Sequence, residues 1–116
     1  MSKVIYYTTS SGENPTEKFL DSLQKQDKAK IIRILRYVEV YGLITVLPHV
    51  KKLSSTPLWE IKILGKANIR VVYVALQEDS ILLVHGFSKK KQKTPAKDID
   101  LAINRMKDWQ KRLNAA

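Results

Sequence analysis

The chain has no cysteine. That excludes disulfide frameworks and cysteine-based metal sites, and it suits a reducing compartment. The N-terminus, MSKVIYYTTS, lacks the apolar core of a signal peptide, and no stretch approaches the ~18 apolar residues of a membrane helix. A cytoplasmic protein is therefore expected. No repeat, low-complexity tract or linker interrupts the 116 residues, so a single domain over 1–116 is expected too. There is no GxxxxGK phosphate loop either, and Ser10, Ser11 and Gly12 do not make one. Acidic residues are scarce: 11 Asp+Glu stand against 21 Lys+Arg, a net charge of +10. The positive field of so small a body extends ~8 Å at physiological salt. Polyanions are the natural partners, whether RNA, DNA, an anionic membrane or an acidic protein. A membrane is disfavoured, because the basic residues fall at strand ends and in loops rather than along one amphipathic helix. A basic surface that serves solubility alone is the plain alternative.

What is present is an ordinary core-forming pattern, 44% hydrophobic. VIYY (4–7) reads as a short strand. In NPTE, Asn14 can cap a helix, Pro15 suits its first position and Glu17 can complete a capping box. Phe19, Leu20 and Leu23 give that helix an apolar stripe. Ile31, Ile32, Leu35, Val38 and Tyr41 recur at helical spacing after Asp27, and Gly42 is placed to end the second helix. The two helices read as a hairpin. Three strand candidates follow: LWEIKIL (58–64), IRVVYVALQ (69–77) and SILLVHGF (80–87), separated by tight breaks that predict an antiparallel meander. The first alternates, with Trp59, Ile61 and Ile63 on one face and Glu60 and Lys62 on the other. The other two are apolar on both faces, as covered central strands would be. Thr94 can cap a last helix opening at Pro95, with Ile99, Ala102, Ile103, Met106, Trp109 and Leu113 as its apolar face. The predicted order is β-α-α-β-β-β-α, an α+β fold: a small antiparallel sheet with an N-terminal helical hairpin and a C-terminal helix.

The cations converge. A three-residue loop, Gly65 to Ala67, places Lys62 directly opposite Arg70, whereas a two-residue loop would put them on opposite faces. Paired cations repel and want an anion, and Glu60 on the Lys62 face can supply part of one. The third strand returns toward the start of the second, so Lys89 and Lys90 overhang the sheet end that carries Arg70, with Lys91 and Lys93 around them. Such a cluster fits a phosphate backbone. It could also do chemistry, since RNA brings its own 2′-hydroxyl nucleophile. Cations can neutralise the transition state, and a lysine crowded by cations can act as a base; no metal or cofactor is required. His85, inside an apolar strand with Leu83 and Phe87 taken to share its face, reads as a packed or hydrogen-bonded structural histidine rather than an acid–base group. His49 has no constellation around it. Trp59 and Trp109 read as core anchors before base-stacking surfaces.

LWEIKI, NIRVVY and LLVHGFSKKKQKTP, followed by a basic amphipathic helix, resemble the RelE/HigB toxins of bacterial type II toxin–antitoxin systems, in particular the phage-derived branch. The resemblance covers residues 58 to 110 and agrees only in element order before that. It implies a ribosome-dependent endonuclease acting on translated mRNA, with Lys62, Arg70 and Lys90 as the catalytic cations. Glu60, Lys89, Lys91 and Lys93 would then bind substrate. It also implies an antitoxin, acidic and of helix-turn-helix type, whose complex binds operator DNA. No tyrosine follows Tyr73, so the C-terminal tyrosine of those toxins has no counterpart here. A degenerate toxin serving as a non-catalytic nucleic-acid- or antitoxin-binding module in co-repression is the competing expectation.

Overall fold

A computed structural model describes residues 3–43, 49–63, 65–77, 79–89 and 93–115. Strand β1 (Lys3–Tyr6) leads into helices α1 (Pro15–Asp21) and α2 (Lys25–Tyr41). Then come β2 (Val50–Lys52), β3 (Leu58–Ile63), β4 (Ile69–Leu76), β5 (Ser80–Ser88) and α3 (Ala96–Ala115). The sheet has five strands in the order β1-β5-β4-β3-β2. It is mixed: the β3-β4-β5 meander is antiparallel as predicted, while β1 joins β5 in parallel. The unpredicted strand is β2, three residues that pair antiparallel with β3 at the sheet edge. Two exposed lysines in so short a run leave no period to read, and they suit an edge that must not recruit another chain.

The start of α1 forms as its sequence dictates. Asn14 accepts a hydrogen bond from the Glu17 N–H (3.1 Å) and its amide donates back to the Glu17 carboxylate. Helices α1 and α2 cover one face of the sheet, where Leu20, Ile31, Leu35 and Val38 pack on Ile61, Ile63, Val71 and Leu83. Helix α3 covers the other, where Ala102 and Met106 meet Leu58, Val72, Leu82 and Val84. Trp59 packs against the first cluster and Trp109 against the second. Because both faces are covered, β4 from Ile69 to Val74 is buried at every residue, which is why its sequence does not alternate. Three positions of the predicted helical stripes are instead exposed: Ile32, Tyr41 and Leu113. Ile32 and Tyr41 lie about 90° off the centre of the α2 stripe, whereas Leu113 is in line with Ala102 and Met106 but falls near the C-terminal end of α3.

The HGF stretch has a packing reason. A Cβ on Gly86 would lie 2.6 Å from the Phe19 ring of α1, so the helix rests directly on the strand backbone. Gly86→Ala should therefore overpack the site by ~1–3 kcal/mol. Urea unfolding would show this as a lower midpoint at unchanged slope; an unmoved midpoint would mean that Phe19 swings away at no cost.

Candidate functional site

Residues from four strands meet on the α3 face of one sheet end. Lys62 stands opposite Arg70 in the β3–β4 register, and Arg70 opposite Phe87 in the β4–β5 register, so the predicted level of the three strand ends is the observed one. Lys51 of β2 pairs with Glu60 and is exposed, a cation the sequence reading missed with its strand.

At the centre lies Glu60, only 3% exposed. Its Oε1 is 3.2 Å from Arg70 Nε and 3.6 Å from Lys89 Nζ, and its Oε2 accepts the Thr94 hydroxyl at 2.6 Å. Glu60 was expected to touch substrate; with both oxygens engaged below the surface, it instead anchors the cations. Arg70 and Lys89 are themselves 6% and 5% exposed. Thr94 was expected to cap α3, but its hydroxyl is spent on Glu60, and the Pro95 carbonyl accepts from the Asp98 and Ile99 N–H groups at the helix start.

Asn68 organises the same corner, a role that its place in NIRVVY did not signal. Its backbone takes a left-handed φ of 52°, which asparagine tolerates. From there its Oδ1 accepts from Arg70 Nη1 (2.9 Å), its amide donates to the Lys89 carbonyl, and its own carbonyl accepts the Lys89 N–H at 2.9 Å. One residue thus fixes both buried cations. Lys62 and Lys93 are exposed around them. Lys90 and Lys91 lie outside the described residues. Beside the cluster, a cleft of about 740 Å³ opens between the end of β5 and the start of α3, lined by Phe87, Ser88, Lys93, Thr94, Lys97 and Asp98 among others.

His85 is held as a structural histidine would be. Its Nε2 lies 2.8 Å from Asp98 Oδ1, Arg105 Nη1 lies 3.3 Å from its Nδ1, and its ring stacks on Phe87 at 5.2 Å. Arginine can only donate, so Nδ1 accepts and Nε2–H points to Asp98: the neutral ring. Leu83, taken to share the His85 face, packs on the opposite side. A register irregularity between Val72 and Tyr73 lets β5 slip by one residue, turning Leu83 to α2 and His85 to α3. Burial lowers the His85 pKa below its ordinary 6.5; the Asp98 hydrogen bond opposes this, and Arg105 reinforces it. The unfolded chain then takes up a proton near that pH that the folded ring refuses. The stability contribution is therefore full above about 6.5 and lost as the pH falls below it, until the lower folded pKa is passed. Melting temperatures at about pH 7.5 and about pH 5.5 should differ less in His85→Gln than in the wild type. An equal drop in both would remove His85 from the account.

Among the described residues no helix is long and apolar enough to cross a membrane. A five-stranded mixed sheet with three helices, one of them C-terminal, is broadly the fold of the RelE-like toxins. Residues 18–107 match the family described as phage-derived protein Gp49-like (DUF891), and the chain belongs to that family, which falls within the RelE/ParE-like toxin superfamily. No curated protein matches the chain.

Proposed function

We propose that the protein is the toxin of a type II toxin–antitoxin pair of RelE/HigB type, a cytoplasmic, ribosome-dependent endonuclease that cuts translated mRNA. One observation carries the reading: Lys62 on β3, Arg70 on β4 and Lys89 just after β5 come together at one sheet end, beside a cleft of about 740 Å³. In the reaction the 2′-hydroxyl loses its proton and attacks the adjacent phosphorus. The bond to the 5′ oxygen of the next nucleotide breaks, and that oxygen takes up a proton, leaving a 2′,3′-cyclic phosphate and a 5′-hydroxyl. Lys62, exposed at the rim, meets the phosphate. Arg70, locked by Glu60 and Asn68, is a donor set in place before the substrate arrives, the kind that acts on charge growing in the transition state. Lys90 completes the catalytic cations, Lys93 at the exposed rim and its sequence neighbour Lys91 hold the RNA backbone, and Lys89, buried on Glu60, fixes the cluster beneath.

Inducing the gene and mapping the 5′ ends of cellular mRNA tests this directly, with new 5′-hydroxyl ends inside translated regions as the expected result. Uncut mRNA would hand the site to a second reading, a non-catalytic module acting in co-repression. That reading draws on the burial of Arg70 and Lys89 against an anion.

A net charge of +10 also calls for an acidic antitoxin over the lysine patch, its complex binding operator DNA. Raised salt should speed dissociation of that complex, since screened rim charges lose part of their grip. Purification from the native operon with no second protein would count against the pairing.

A further inference from the structure

Helix α2 carries a surface that neither the core nor the sheet-end cluster uses. Ile31, Leu35 and Val38 turn one side of it into the core. At ~100° per residue, the opposite arc collects Lys25, Arg33, Arg36, Tyr37, Val40 and Tyr41. All six are exposed, and the Tyr37 and Tyr41 rings stack on each other at 5.9 Å with 51% and 61% of each residue open to solvent. Lys25, Arg33 and Arg36 form no ion pair among the described residues. The helix's acids, Asp27 and Glu39, fall on the flanks of the arc rather than on it.

We infer that this arc of α2 is a second nucleic-acid surface, one that takes unpaired nucleotides of a single strand. Two large exposed rings are costly to leave in water without a purpose, and a base offers each a flat π-face. Cations without intervening acids follow a phosphate backbone, which presents an unbroken line of like charge. The surface lies across the sheet from Glu60, because α2 packs on the Ile61 face and Glu60 points to the α3 face. It can therefore hold a strand while the sheet end is occupied, and the inference does not depend on cleavage.

The test is anisotropy of labelled 12-nucleotide single strands, RNA and DNA of one sequence, titrated with the purified full chain. A 4-thiouridine version of the RNA maps crosslinks. Tyr37→Ala and Tyr41→Ala, both on exposed rings and checked for fold by circular dichroism, should each weaken binding roughly tenfold. Arg33→Gln should lower the slope of log affinity against log salt by about 0.7. Crosslinks should fall on α2, and a duplex of the same sequence should be indifferent to the tyrosines. Equal losses with both strands define a general single-strand site, and a loss with RNA alone defines an RNA site. Wild-type affinity in a folded Tyr37→Ala/Tyr41→Ala double variant, with crosslinks only at the sheet end, overturns the inference. So does a double variant that keeps its RNA affinity but loses a protein partner of the native operon.

Discussion

Glu60→Ala is expected to destabilise the fold by about 3–5 kcal/mol, the largest single-residue effect anticipated for this protein. The cost is not that of one lost contact. Among the described residues Glu60 is the one carboxylate that pairs with Arg70 and Lys89, and without it two cations are left buried side by side. The Thr94 hydroxyl loses its acceptor as well. Glu60→Gln keeps the volume and an oxygen for Thr94 and should cost less. Adding Lys89→Met to Glu60→Gln should return part of the loss, because it removes one of the stranded charges. Urea midpoints measure all three, and a Glu60→Ala midpoint within about 0.5 kcal/mol of wild type would mean that water reaches the cluster and that the burial is not maintained in solution. The same geometry complicates Arg70→Ala, which strands Glu60 with a longer-range partner and confounds folding with chemistry. Arg70→Lys retains the charge, discards the fork, and is the better probe of that position.

Lys62→Ala is the second large expectation, and the cleaner test of the proposed chemistry. Its side chain is exposed, so the fold should be unaffected. Losing one cation that meets the phosphate as its charge grows in the transition state costs about 10²–10³ in rate. Growth arrest on induction should accordingly disappear while the protein stays folded and bound to its antitoxin. Lys93→Ala, on the outer rim, should leave toxicity in place and soften only RNA affinity and its salt dependence, by about 0.7 in slope. A folded Lys62→Ala that remains fully toxic would place the chemistry elsewhere.

Local pattern was enough for much of this. NPTE set the start of α1, and the alternation in LWEIKI put Glu60 and Lys62 on one face. These are decided within a few residues, by capping chemistry and strand period, and the sequence carries them directly. Two loop lengths stayed open between β3 and β4, and the observed pairing of Lys62 with Arg70 decides between them. It could not say that Glu60 would be buried and Lys62 exposed, although both share that face. The difference comes with the partners that meet on Glu60: Arg70 and Lys89, and Thr94, 34 residues away, which arrives with the α3 entry. The need for glycine at 86 is likewise set by a ring on α1, and the turn of His85 toward Asp98 by a one-residue slip between β4 and β5. Buried charge is stabilised only by partners that the fold brings together, and such partners leave no periodic trace along the chain.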